Sequence, residues 1–275
     1  MRPPALCDCT QGGFARAAKI HGPETQEAPL KIRWLTIVLA VPLTLAGASA
    51  SAGGPSDPEV VDPAGDANLV NNQGQEAAPE QNLSTAPASI DGADIRSIWL
   101  ETLYSTVKER DADGAVRFVR HVPHSLRINF VTTAPAKPTF GPGVIFRMSA
   151  NVGEGGCQVQ FQVYLAGTAT AMERAEINRL RNCTGGNGIL GGGFTHAVQG
   201  TTLSLTFPFA QTEGMLTGVE TLSAYTRPHT RVVLPNAAAT APAIDQTAPI
   251  RSFTLGSDVP PDVDCTTEPG HPDCA

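Results

Sequence analysis

Hydrophobic and polar residues alternate with a period of two along much of the chain after residue 94. The alternation is clearest in Leu126–Phe130, Val159–Val163 and Leu203–Phe209, where every second residue is apolar. Such a pattern places one face of each strand against a core and the other face in water, as in an antiparallel sheet. Further strands are predicted at Ile95–Lys108, Ala115–Val122, Val144–Val152, Thr195–Gln199, Val219–Thr226 and Ser252–Leu255.

The connections support an all-β fold. Asp111-Ala112-Asp113-Gly114 lies between two strand-like runs and predicts a hairpin, because Asp and Gly both tolerate positive φ. One helix is predicted at Ala171–Leu180, where Glu173 and Arg179 contribute to a charged face, and the Gly-rich segment 185–193 is interpreted as a connection. The spacing of strands and turns therefore predicts an antiparallel β-sandwich, jelly-roll or immunoglobulin-like, with at most one short helix.

The first 52 residues are predicted to be an N-terminal extension followed by a signal peptide. Lys31 and Arg33 precede an apolar run, Trp34–Leu45, and small residues follow at Ala46–Ala52. A positive flank, a short apolar core and an Ala-x-Ala exit are typical of a secretory signal. The apolar run has about 12 residues, fewer than the roughly 20 that span a bilayer, so a membrane anchor is the weaker alternative. The sequence thus predicts a secreted or envelope-associated protein that meets the membrane only through this segment.

The rest of the chain divides into three parts. Residues 53–90 are an acidic, Pro- and Ala-rich linker and opening loop, residues 91–257 are the sandwich, and residues 258–275 are a tail closed by a disulfide. Four cysteines in an exported domain indicate two disulfides among three possible pairings. The favoured pairing is Cys157–Cys183 and Cys265–Cys274, because the second bond closes a short Pro-rich loop.

Charge and motifs exclude several functions. The chain has 26 Asp and Glu against 19 Lys and Arg, so it repels the phosphates of nucleic acids. Residues 53–275 contain no Gly-x-Ser-x-Gly, and no His-Glu-x-x-His occurs anywhere in the chain. A non-enzymatic role is therefore expected.

Acidic residues dominate the segment that opens the exported part. Between Gly53 and Asp94 there are eight Asp or Glu residues and no Lys or Arg. Calcium binds six to eight oxygens from carboxylates, amides, carbonyls and water, so a loop that returns to the first strand could gather these groups around one ion. The alternative is that they are turn residues and solvated charges. The predicted metal ligands are Asp62, Asp66, Asn68, Asp91, Asp94 and Asp245.

A resemblance to known proteins rests on three short motifs. They are the opening Asp62-Pro63-Ala64-Gly65-Asp66, the strand entry Asp94-Ile95 and the closing Asp245-Gln246-Thr247. Over roughly residues 58–257 they resemble exported, mostly uncharacterised actinobacterial β-sandwich proteins and, more distantly, are similar to DOMON-like and family-9 carbohydrate-binding-module sandwiches. In those relatives the opening acids often hold a structural calcium, and the sheet face or loops bind sugar or haem.

The resemblance implies a ligand- or glycan-binding or protein-interaction module with a structural calcium. Aromatic platforms for sugar rings are scarce, since aromatic residues make up 5% of the chain, and Trp99 is expected in the core. Two other functions stay open from the sequence: a structural envelope protein without a small ligand, and a secreted hydrolase whose site is assembled from distant loops.

Overall fold

The computed structural model describes residues 56–67, 91–136, 143–166, 173–232 and 243–275. The predicted signal peptide at residues 1–52 and the predicted ligand Asn68 lie outside these ranges. The described strands are β1 (Val60–Val61), β2 (Ile95–Arg110), β3 (Val116–Thr132), β4 (Gly143–Val152), β5 (Cys157–Ala166), β6 (Arg174–Arg181), β7 (Gly188–Gly191), β8 (Thr195–Gln199), β9 (Thr202–Pro208), β10 (Thr221–Val232), β11 (Ala243–Gln246), β12 (Phe253–Thr254) and β13 (Val263–Asp264). Two single-turn 3-10 helices, Phe209–Gln211 and Pro272–Cys274, complete the regular structure of these ranges.

The strands form two antiparallel sheets that pack face to face. The first sheet has the order β1-β2-β3-β9-β8, with β13 also paired to β3. The second sheet has the order β11-β10-β4-β5-β6-β7, with β12 also paired to β10. The predicted β-sandwich is therefore confirmed. Strand β1 lies in the segment predicted as linker and opening loop, and it pairs with β2.

The core lies between the sheets and follows the predicted alternation. Phe130 of β3 packs edge-on against Phe146 of β4 with ring centroids 5.6 Å apart, and Phe161 of β5 packs against Phe207 of β9 at 5.1 Å. All four side chains are almost completely buried. Each contact joins one sheet to the other, so burial of these rings holds the two layers together.

The hairpin between β2 and β3 forms at the predicted turn. The backbone N–H of Asp111 donates to the carbonyl of Ala115 at 2.9 Å, and Gly114 has a φ of +87°. Strand β3 then continues past Pro123, which lies opposite Tyr104 beside a break in the register. Proline lacks an N–H to donate to the ladder, which is why it is tolerated at such an irregularity.

The helix predicted at Ala171–Leu180 is wrong. From Arg174 onward this segment is strand β6, paired with β5 on one side and β7 on the other. Ala175 and Ile177 face the core, whereas Arg174 and Glu176 face outward, so the first half of the strand follows a period of two. The Gly-rich connection predicted at residues 185–193 also contains strand β7. Pairing with β5 outweighs the local preference for a helix.

Both predicted disulfides are present. Cys157–Cys183 joins the start of β5 to the loop after β6, and Cys265–Cys274 closes the tail. The tail is also packed, because Val263, Cys265 and Val119 form a second, smaller buried cluster on β3. Disulfides of this kind are typical of proteins that fold in an oxidising compartment.

Candidate metal centre

The opening loop is fixed to the first sheet where it leaves β1. The backbone N–H of Asp62 donates to the carbonyl of Arg96 at 2.8 Å. Gly65 then adopts a φ of +81°, and its N–H donates to Oδ2 of Asp94 at 2.7 Å. Because a Cβ is strained at this φ, glycine lets the loop turn back and place Asp66 beside Asp62.

Asp245 reaches the same place from the second sheet. It lies in β11, opposite Thr230 of β10, and its side chain is only 4% exposed. Its Oδ2 accepts a hydrogen bond from the N–H of Ile95 at 2.6 Å, which connects the two sheets at the entry of β2. Thr230 reinforces this junction by donating to the carbonyl of Ala93 at 2.8 Å.

Three of the acids converge. One carboxylate oxygen from each of Asp62, Asp66 and Asp245 lies within 4.8 Å of the others. Two oxygens that bind one calcium at 2.3–2.6 Å can lie up to about 5 Å apart, so the spacing fits a single ion. Asp66 is exposed, Asp62 is half-buried and Asp245 is buried, so the site opens to solvent on one side.

Asp94 adds a buried carboxylate beside the triad. The residue has no exposed surface. Its Oδ2 accepts from Gly65 and from the hydroxyl of Thr133, but its Oδ1 is buried without a hydrogen-bond partner among the described residues. Oδ2 of Asp62 is also buried without a hydrogen-bond partner among the described residues. Buried polar atoms normally have a hydrogen-bond partner, so these two oxygens are unusual among the described residues.

Burial and mutual repulsion also raise the pKa values of two of these carboxylates. Burial, together with the carboxylates of Asp66 and Asp94, raises the pKa of Asp62 to about 6. Burial raises the pKa of Asp245 to about 7, and the charges of Asp62, Asp66 and Asp94 add to this effect although the Ile95 hydrogen bond opposes it. Carboxylates that repel one another in a partly buried site favour either protons or a cation.

The structure therefore brings together four of the six predicted ligands. Asp62, Asp66 and Asp245 form the triad, and Asp94 acts on two of them electrostatically. Asp91 is exposed and does not belong to the triad. Its backbone carbonyl accepts from the N–H of Ala134. Asn68 lies outside the described residues.

Sequence reasoning missed Thr133, which helps to hold Asp94. Its hydroxyl donates to Oδ2 of Asp94 and its N–H donates to the Asp94 carbonyl at 3.0 Å. This contact depends on how β2 pairs with the end of β3. No signal in the local sequence marks the residue, since a Thr at a strand end is common.

A second feature lies on the outer face of the first sheet. Trp99 is half-buried, pairs with Asn129 and is flanked by Ile98 and Leu100, which point into the core. The expectation that Trp99 belongs to the core is wrong, because the alternation places it on the opposite side of β2.

Polar groups surround this ring. Glu101 accepts from Arg127 at 3.0 Å and from Asn129 at 3.3 Å, and the hydroxyl of Ser204 donates to Asn129 at 2.6 Å. An indole beside fixed carboxylate, amide and guanidinium groups is an arrangement suited to polar ring ligands.

Comparison with protein-family models, curated proteins and solved structures gives no match. Within the described ranges, no helix has the length and apolar character that a bilayer crossing requires.

Proposed function

We propose that this protein is an exported, non-enzymatic β-sandwich, a ligand- or glycan-binding module whose opening loop is fixed by a structural calcium ion. The observation that supports the metal is the pair of buried, unpartnered carboxylate oxygens, Asp62 Oδ2 and Asp94 Oδ1, beside the Asp62, Asp66 and Asp245 triad. Carboxylate oxygens are the ligands that calcium prefers, and a flexible loop tolerates its irregular geometry.

The ion would have a structural role at this place. Asp62 and Asp66 belong to the opening loop, whereas Asp245 belongs to the second sheet. A cation shared by them would neutralise the mutual repulsion of the carboxylates and fix the loop to the sandwich. The nearby partners, Thr133 and the N–H groups of Gly65 and Ile95, donate to the carboxylates and hold them in place.

Export is part of the proposal. The positive flank and short apolar run before residue 53, together with the two disulfides, support it. Extracellular calcium is also far more abundant than cytosolic calcium, so a site of modest affinity would be filled outside the cell.

The outer face of the first sheet supports the binding part of the proposal. Trp99 offers a ring surface, and the partly exposed guanidinium of Arg127 offers donors while the almost completely buried Glu101 holds it in place. A neutral extracellular glycan fits such a surface, because a sugar ring stacks on indole while its hydroxyls bond to the polar groups.

The calcium proposal is tested by following thermal unfolding with calcium, magnesium or EDTA. Calcium at 100 times its Kd should stabilise the folded protein by about 2.7 kcal/mol, and magnesium should do less. An unfolding midpoint that is the same with calcium and with EDTA would overturn it. Isothermal titration calorimetry then gives the number of ions bound, with one expected.

The binding proposal is tested separately with a glycan array, using the protein and its Trp99→Ala variant. Binding to neutral glycans that the variant loses would support the Trp99 face. A blank array would favour a structural envelope protein instead. Reproducible turnover of ester, peptide or glycoside substrates would favour the hydrolase alternative.

A further inference from the structure

The second sheet carries a polar face that the proposed function does not use. His229 of β10, Arg147 of β4, Gln162 of β5 and Glu176 of β6 are neighbours in register across four strands. They alternate with core residues, so their side chains leave the sheet on the side opposite the first sheet. Ser149, two residues beyond Arg147 on β4, lies on the same side.

The single carboxylate of this row is already engaged. Nε of Arg147 donates to Oε1 of Gln162 at 2.7 Å, and the amide of Gln162 donates to Oε1 of Glu176. Oε2 of Glu176 accepts from Nε of Arg174 at 2.9 Å. The chain of bonds therefore ties Glu176 to Arg174 and to an amide, and Arg147 reaches it only through Gln162.

Two guanidinium groups face each other at the other end of the row. Arg231 pairs with Ile145, next to the Arg147–His229 pair, and lies close enough to Arg147 that burial and the charge of Arg231 lower the pKa of Arg147. Burial and the charges of Arg231 and Arg147 lower the pKa of His229 to about 4, so its imidazole is neutral at physiological pH. Among the described residues this end of the face therefore carries excess positive charge, which Glu176 offsets only in part at Arg147.

Polar atoms without partners concentrate on the same face. Among the described residues, eight buried side-chain nitrogen or oxygen atoms have no hydrogen-bond partner. Two of them belong to the acid cluster, which is the triad of Asp62, Asp66 and Asp245 together with Asp94. Four of the remaining six lie here: Ser149 Oγ, Gln158 Oε1, His229 Nε2 and Arg231 Nε. Buried polar atoms normally have partners, so their clustering suggests that a ligand completes them.

The partners that these atoms need define the ligand. Nε of Arg231 is a donor and requires an acceptor, which a carboxylate between the two guanidinium groups would supply. Nδ1 of His229 contacts the carbonyl of Arg227 at 3.0 Å and must donate to it, so in the neutral ring Nε2 has a lone pair and requires a donor. An inorganic anion without a hydroxyl can accept from Nε of Arg231 but cannot donate to Nε2 of His229. A hydroxyl on the same molecule meets both.

We propose that the outer face of the second sheet, centred on Arg147, Arg231, His229 and Ser149, binds a hydroxylated carboxylic acid of the sugar-acid class. The carboxylate lies between Arg147 and Arg231, and ligand hydroxyls donate to Nε2 of His229 and bond to Ser149. This site is separate from the acid cluster and from the Trp99 face of the other sheet.

The probe is glucuronate, compared with glucose, acetate and sulfate by isothermal titration calorimetry on the full protein. Glucuronate should bind, and glucose should bind at least about tenfold more weakly because it lacks the charge-assisted bonds. Equal affinity for acetate or sulfate would overturn the hydroxyl requirement, and no binding of glucuronate would overturn the site.

Two variants locate the binding. Arg231→Gln should weaken glucuronate binding at least about tenfold, whereas Arg120→Gln on the exposed side of β3 removes the same charge from the other sheet and should leave it unchanged. Ser149→Ala should weaken glucuronate binding without lowering the unfolding midpoint, since the hydroxyl it removes has no partner to lose. Glucuronate binding that both site variants retain would overturn the assignment. Each result is independent of the calcium titration and of the Trp99→Ala test.

Discussion

The carboxylate of Asp245 accepts a hydrogen bond from the backbone N–H of Ile95 at 2.6 Å, across 150 residues of sequence. The bond joins β11 of the second sheet to the first residue of β2, at the point where the acid cluster forms. Asp245 thus has two roles that make opposite demands on its charge. The hydrogen bond favours the ionised carboxylate, whereas the neighbouring acids disfavour it.

Replacing Asp245 by Asn should separate these roles. The amide oxygen can still accept from Ile95, but the negative charge is gone. We expect the calcium-induced rise of the unfolding midpoint to disappear, while the midpoint in EDTA at pH 7.5 rises by a few degrees because repulsion within the cluster is relieved. Differential scanning calorimetry measures both effects.

Asp91→Asn is the matched control for this experiment. Asp91 carries the same charge but is exposed and outside the triad. Its substitution should leave the rise of the midpoint with calcium unchanged. If both variants behave alike, the triad is not the calcium site.

The metal-free protein should depend on pH through the same cluster. The folded pKa values of Asp62 and Asp245, about 6 and about 7, lie above the ordinary value of 3.8. The folded state therefore holds more protons than the unfolded state, and the stabilisation that these two groups give below about pH 4 is lost as pH rises to about 7.

A comparison with a variant isolates the contribution of Asp245 from that of the other carboxylates. The midpoint of Asp245→Asn minus that of the natural protein, both in EDTA, should be small near pH 4 and should grow toward pH 7.5. A difference that does not change with pH would contradict the coupling between these acids.

The position of Trp99 leads to a prediction about stability. Ile98→Ala removes a fully buried side chain and should lower the free energy of unfolding by about 2–5 kcal/mol. Trp99→Ala removes a larger side chain from the outer face and should cost less, about 1 kcal/mol, because its ring keeps contact with water. Urea denaturation measures both, and a larger loss for Trp99→Ala would place the ring in the core after all.

The tail disulfide should stabilise one region rather than the whole sandwich. Replacing Cys265 and Cys274 by Ala opens a loop whose ends are nine residues apart in sequence. It should lower the local unfolding free energy of the small cluster around Val119 and Val263 by about 3 kcal/mol. Limited proteolysis should then cut within residues 258–275 while the rest of the domain survives.

Replacing Cys157 and Cys183 by Ala is the comparison for the tail. That bond spans 26 residues and joins elements of the second sheet beside the main core. Its loss should lower the unfolding midpoint of the whole domain. Equal proteolytic patterns for the two double variants would argue against a separate tail unit.

Much of this architecture was predictable because alternation reports directly on sheet faces. The runs around Phe130, Phe161 and Phe207 each placed the correct side chains in the core. The same rule would have identified the start of β6, where Ala175 and Ile177 alternate with Arg174 and Glu176, had the charged residues not also matched a helical face. Local pattern is ambiguous in short segments, and pairing with β5 decided the outcome.

The sites were less predictable, because they depend on which strands become neighbours. The triad forms because β11 lies beside the entry of β2. The motif at Asp245 does not by itself show which strand becomes its neighbour. The site proposed on the outer face of the second sheet depends on the register of β10 against β4, which places Arg231 and His229 near Arg147. Residues far apart in sequence gave no local sign that they would meet.

The long-range bond between Ile95 and Asp245 also bears on the order of events in folding. Closing a loop of 150 residues carries an entropic cost of several kcal/mol, so this junction should form late, after the local hairpins. Interactions that form after the transition state slow unfolding without speeding folding. An ion bound there would act chiefly on the lifetime of the folded state, by slowing its unfolding.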